Sequence, residues 1–125
     1  MLASSFADLP RTFDQSYLQA QSARHLHLRT LLEQAVAPAF RVAPCELWTD
    51  RRGSPNSAFA RQVAMYLAHV GCGLSLTEVG RLFTRDRTTV GHACGLVEDR
   101  REDPALDRAL ELLEGIVRLL MLPLP

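Results

Sequence analysis

Lysine is missing from this 125-residue chain, and its fourteen basic residues are all arginine. That excludes a phosphate-binding loop of the G-x-x-x-x-G-K-[ST] type and any lysine Schiff-base chemistry. Long apolar runs are missing too. Runs such as Leu119–Leu122 are far shorter than a membrane span, and the N-terminus lacks the basic start and apolar stretch of a signal peptide. Cys45, Cys72 and Cys94 are odd in number and form no C-x-x-C pair, which predicts reduced thiols in a cytoplasm rather than a disulfide framework. The His25/His27 and His92/Cys94 pairs sit two apart, so a helix would turn their side chains to different faces, and no metal or other cofactor is expected. No carboxylate pair or nucleophile–base pair stands at usable spacing, so the chain does not read as an enzyme.

Net charge is missing as well, since fourteen acids balance the arginines. Nucleic-acid binders are usually basic, but here the charge is segregated. From Arg51 to His92 six arginines face two acids, a local +4; from Ala93 onward four arginines face seven acids, a local −3. Hydrophobic residues make up 47% of the chain, enough for one packed domain.

The most informative stretch is Ser75–Asp103. Ser75 with Glu78 is a capping-box pattern that predicts a helix from Leu76. Leu76, Val79, Leu82 and Phe83 then repeat along one face. The pattern stops at Thr84–Arg85–Asp86, and Asp86 suits the N-cap of a second helix. In that helix Val90, Ala93, Cys94 and Val97 share the apolar side; Thr88, Thr89, His92, Gly95 and Leu96 share the other. A short helix, a tight turn and a longer helix beginning with small polar residues is the helix-turn-helix pattern, in which the start of the second helix meets base edges in the major groove.

Three blocks, RQVAMYL at Arg61–Leu67, SLTEVG at Ser75–Gly80 and RDRTTVGHA at Arg85–Ala93, resemble in order and spacing the C-terminal DNA-binding domain of the bacterial chromosomal replication initiator DnaA. The resemblance covers about Leu28 to Val117. It implies an all-α, Trp-repressor-like bundle of five to six helices containing a helix-turn-helix, with residues 28–122 as the DNA-binding domain and 1–27 as a partly loose or helical extension. It also implies a double-stranded DNA partner with an initiator-box-like site, and a cytoplasmic, nucleoid-associated regulator of replication or transcription. The alternative is an adaptor whose partner is the replication initiator or a related regulator. No membrane partner is expected, and the oligomeric state is a monomer or weak homodimer. By resemblance, Arg51 or Arg52 enters the minor groove, whose narrow A·T-rich form attracts guanidinium groups. Arg61 and Gln62 hold the DNA backbone, and Leu76 and Thr77 offer N–H groups to phosphate at a helix N-terminus. Asp86 has two competing roles, helix cap or acceptor from a cytosine amino group; Thr88 and Thr89 either offer hydroxyls and methyls to base edges or simply cap the first turn, and His92, one turn beyond Thr88, is a reader or phosphate contact. Arg87 replaces a family histidine and can bind guanine bidentately. Gly95–Leu96 replaces a usual basic pair, the turn before Asp86 is one residue shorter, and the chain is too short to hold an ATPase domain as well.

The rest of the chain also reads as helical. Met1–Pro10 should be loose. One helix or two fill Asp14–Ala37, with Asp14 as an N-cap, a core stripe of Leu28, Leu31, Leu32, Ala35 and Val36, and Pro38 as the stop. Pro44 opens a short helix through Trp48, a core anchor. After the basic loop Thr49–Ser57, Asn56 or Ser57 should cap a helix over Ala58–Val70. Its core side is Phe59, Val63, Leu67 and Val70, and a left-handed glycine in Gly71–Cys72–Gly73 should end it. Asp103–Pro104 should open a last helix to about Met121. Its core stripe is Leu106, Leu110, Leu113, Val117 and Leu120, widened by Leu112, Ile116 and Leu119.

Overall fold

A computed structural model of the chain describes residues 11–49 and 53–123. Among the described residues, five α-helices and one short 3-10 turn account for the regular structure, and there is no strand. We label them α1 (Arg11–Phe40), the 3-10 turn (Pro44–Leu47), α2 (Pro55–Val70), α3 (Leu76–Phe83), α4 (Arg87–Arg100) and α5 (Pro104–Met121).

One continuous helix of 30 residues, α1, resolves the one-or-two question. It is already formed at Arg11, so Asp14 lies inside it rather than capping it, and it passes unbroken through residues 27 and 28. Pro38 does not end it at Ala37. The helix continues to Phe40 and closes there, with Arg41 in the left-handed region (φ 55°). The Arg41 and Val42 N–H groups donate back to the Pro38 and Ala37 carbonyls at 3.2 and 3.1 Å. This is the Schellman pattern with arginine where glycine is usual, so backbone wrapping stops the helix two residues after the proline. The stripe from Leu28 to Val36 is buried throughout.

Helix α2 starts three residues before the expected Ala58. Ser54 is the cap, its hydroxyl accepting from the Ser57 N–H at 3.1 Å, and Pro55 takes the first helical position, where its missing N–H costs nothing. Ser57 is buried instead of capping, and its hydroxyl donates to Glu46 Oε2 at 3.2 Å. Val63 and Leu67 are core residues and Phe59 packs edge-on against Phe40, but Val70 is exposed. Gly71 is right-handed (φ −83°), and the left-handed glycine is Gly73. Trp48 anchors as expected: its ring lies 4.6 Å from Phe83, and Nε1–H donates to Glu33 at 2.6 Å.

Helices α3 and α5 begin where their caps predict. Ser75 and Glu78 exchange both capping-box bonds, and the Asp103 carboxylate accepts from Ala105 N–H with Pro104 at the first helical position. The inner stripe of α5 is buried at Leu110, Leu113 and Val117. The widening residues are not: Leu112, Ile116 and Leu119 face outward, and Leu120 is exposed as well. The inner stripe alone meets α1 and α2, the helices α5 packs against.

Behind α4 a second, polar anchor ties the bundle together. Arg101 donates through Nε to Asp107 at 2.5 Å and through Nη1 to Glu114 and the Tyr66 hydroxyl at 2.6 and 2.9 Å; Tyr66 donates in turn to Glu98 at 2.7 Å. Burial, and then the bond to Glu98, raises the Tyr66 phenol above its ordinary range. The bond to Asp107 is the main reason Arg101 is held still more firmly as a cation.

Candidate nucleic-acid interface

The turn between α3 and α4 decides how the second helix is presented. Thr84 adopts the left-handed conformation (φ 56°, ψ 50°), and the Gly80 carbonyl accepts N–H groups from both Thr84 and Arg85. A Cβ on Gly80 would stand 2.5 Å from the Arg85 carbonyl oxygen. Only a residue without a side chain lets the turn fold this closely over α3, and the left-handed position of the turn is taken by Thr84 rather than a glycine.

With the turn so folded, Val90, Ala93 and Val97 are buried against the bundle, with Cys94 half-buried beside them. Asp86, Arg87, Thr88, Thr89 and His92 are all exposed along the start and outer side of α4. Asp86 has the backbone of an N-cap (φ −66°, ψ 144°), but its side chain makes no capping bond. The carboxylate is therefore left available at the tip of the helix, where the expectation gave it two competing roles. Gly91 and Gly95 are not demanded by packing within the chain: a Cβ at Gly91 would make ordinary contact with Leu76, and one at Gly95 would meet nothing within 4 Å.

Two hollows flank this helix start. One, of about 180 Å³, brings Arg61, Gln62, Arg85, Thr89 and His92 together between α2 and α4. The other, about 470 Å³ and open, is lined by Thr77, Arg81, Thr84, Arg85, Asp86 and Arg87. Of the expected site residues, the structure thus gathers all but three around the α4 start. Leu76 sits half-buried at the first position of α3, next to Thr77. Arg51 and Arg52 lie outside the described residues.

Arg61 is half-exposed and makes no ion pair with an acid among the described residues. Its Nη1 donates to the Glu46 main-chain carbonyl at 3.0 Å, which aims the guanidinium along the α2 edge. Arg85 was missed as a site residue because it reads as turn filler. It lines both hollows, and its Nη2 donates to the Thr49 carbonyl at 3.3 Å, tying the turn to the start of the arginine loop. The one available signal was an arginine set between a helix stop and an N-cap.

Burial holds the thiols of Cys72, at about 11, and Cys94 above the ordinary range, so both are protonated at neutral pH. The described residues contain no group of three or more His, Cys, Asp or Glu placed to hold a metal, and none of their helices is long and apolar enough to cross a membrane.

A capped helix of eight residues, a glycine-tightened turn and a second helix with its polar edge outward define a helix-turn-helix protein. The family model described as bacterial dnaA protein helix-turn-helix matches residues 30–97. The chain belongs to that family. It is 38% identical over 85 residues to the chromosomal replication initiator protein DnaA of Lachnoclostridium phytofermentans, covering 66% of this chain and 18% of the relative. The DnaA of Bordetella pertussis is 40% identical over 89 residues (70% and 19%), and that of Bartonella quintana 41% over 88 (69% and 18%). The chain therefore aligns with less than a fifth of the length of these relatives. A crystal structure of a DNA replication initiation factor superposes with a TM-score of 0.64 at 30% identity, covering 80% of this chain and 32% of that one.

Proposed function

We propose that this protein binds double-stranded DNA at an initiator-box-like site and regulates replication at the nucleoid, with residues 28–122 as the reading unit. The observation that carries the reading is the exposed Asp86–His92 edge of α4, with Arg61, Gln62 and Arg85 gathered beside it. Thr88 and Thr89 present methyl groups to thymine and hydroxyls to base edges; Asp86 accepts from a cytosine amino group; Arg87 takes guanine. His92, one turn beyond Thr88, reaches a base or phosphate. Arg61, Gln62 and the N–H groups of Leu76 and Thr77 fix register on the backbone, and Arg51 or Arg52 enters the minor groove. The neutral net charge is no obstacle, because the arginines concentrate on this side of the sequence.

The test is fluorescence anisotropy with a box duplex and a scrambled duplex, from low to physiological salt. A specific reader prefers the box by at least about tenfold. Thr88→Ala with Thr89→Ala should erase most of that preference, while Gln62→Ala, which removes an uncharged phosphate contact, weakens both duplexes alike and leaves the salt slope nearly unchanged. Equal, salt-labile binding to both duplexes would reject site recognition. Indifference of all binding to Arg61→Ala with Thr88→Ala would favour an adaptor instead.

A further inference from the structure

Arg81 stands at the centre of the outward face of α3. Val79, Gly80, Leu82 and Phe83 are buried, and at helical spacing their common direction is opposite to Arg81. Thr77, one turn earlier, is exposed about 40° away on the same face. Arg81 lines two hollows at once. The first is the open one it shares with Thr77, Arg85 and Arg87 at the α4 start. The second, of about 360 Å³, lies between α1 and α3, where Gln21, Arg24, His25, Glu78 and Arg81 surround a floor of buried leucines. No residue of α4 lines it. The charge of Arg81 is uncommitted: the side chain is exposed and makes no hydrogen bond or ion pair among the described residues. Glu78, the acid of the second hollow, is already engaged. It accepts the Ser75 N–H at 3.2 Å, lies 3.6 Å from Arg24 and meets Arg81 only as a more distant charge.

We propose that Arg81 holds the sugar–phosphate backbone of duplex DNA just outside the reading site and leads it from the α4 start across α3 toward α1. The inference rests on the DNA reading and extends it. A strand that meets the Thr77 N–H at the head of α3 passes Arg81 about 6 Å further along the helix. Each strand of a duplex carries a phosphate for every ~3.4 Å of axis, so a cation placed there meets one. A guanidinium without a carboxylate of its own can take two oxygens of that phosphate. A strand that continues into the second hollow has left the reading edge. There Gln21 adds an uncharged donor and Arg24 a cation weakened by its pairing with Glu78. Arg81 therefore contributes most and Arg24 less. None of these contacts carries base information; they lengthen the footprint and fix its register.

The test is fluorescence anisotropy of the full chain with duplexes of two lengths, the box alone and the box with about one further helical turn (roughly 10 base pairs) at each end. Both are measured across the same salt range, each beside a scrambled duplex of matched length. The longer box duplex should bind about threefold or more tightly at low salt, with a slope steeper by about 0.9 for each added contact. Arg81→Ala should remove about 0.9 of that slope on the longer duplex only and leave the preference for box over scrambled unchanged. Arg81→Lys keeps the charge and should retain the slope, and Arg24→Ala should lower it by less than Arg81→Ala does. Circular dichroism melts establish that each variant is folded. Equal slopes for wild type and Arg81→Ala on the longer duplex overturn the proposal. So does a loss of the same size on both lengths, which would put Arg81 inside the reading site. If the wild type shows no box preference, site reading fails by itself, and the Arg81 effect is still read from the length-dependent slope on the scrambled duplexes. If it binds no duplex, both readings fall.

Discussion

Two arginine-bearing regions of this small bundle use the same side chain in opposite ways. Behind α4, Arg101 is spent on the fold, joining Tyr66, Asp107 and Glu114 across three elements. At the α3–α4 turn, Arg87 stands exposed on the outer edge, and Arg61 and Arg85 donate to main-chain carbonyls, with no ion pair to a carboxylate among the described residues. A carboxylate partner would neutralise them, whereas a carbonyl aims the guanidinium and leaves its full charge for an incoming phosphate. Among the described residues, Arg61, Arg85 and Arg87 thus keep their charge unpaired, whereas Arg101 is neutralised by Asp107 and Glu114.

Breaking the clasp should have the largest effect on stability. Arg101→Ala leaves the largely buried Glu114 without its main cation and should cost about 3 kcal/mol. This is readable as a fall in the urea midpoint, with the salt slope of DNA binding unchanged in the protein that remains folded. Gly80→Ala attacks the other region. A methyl 2.5 Å from a backbone oxygen must push the turn away from α3, which should cost about 2 kcal/mol and lower affinity for box DNA through misplacement of the α4 start. If box affinity survived while stability fell, the turn geometry would not be what positions the reading edge.

The smallest effect separates the regions by pH. Glu78 is held below the ordinary carboxylate range, first by accepting the Ser75 N–H in the capping box, with Arg24 nearby at 3.6 Å. A depressed carboxylate contributes stability that is present above its unfolded value of 4.5 and is lost as pH falls through the lower folded value. Amide exchange at Leu76–Val79 should therefore rise below about pH 4.5, and Glu78→Gln should remove that dependence. Exchange insensitive to the substitution would place the acid-labile group elsewhere.

The legible parts of the sequence were those governed by local chemistry. Ser75, Glu78, Asp103 and Pro104 set helix starts through bonds spanning two or three residues, so their positions could be read directly. Boundaries set by competition were not legible. Pro38 reads as a stop, yet the wrap of Arg41 and Val42 onto the preceding carbonyls decides where α1 ends; Ser54 outcompetes Asn56 and Ser57 as a cap because Glu46 engages the Ser57 hydroxyl from another element. For the site, the Thr88–Thr89–His92 face follows from helical periodicity. The contribution of Arg85 depends on a carbonyl 36 residues away, which no spacing announces.

Gly80 separates two things that a recognition element must keep apart. The angle at which α4 leaves α3 is fixed by the absence of one methyl group, at a position that never faces outward. The side chains displayed, Asp86, Arg87, Thr88, Thr89 and His92, sit beyond that joint and can be exchanged without disturbing it. Under the proposed DNA reading, the target site can then be rewritten one side chain at a time, because the grammar of presentation and the vocabulary of contact are written in different residues.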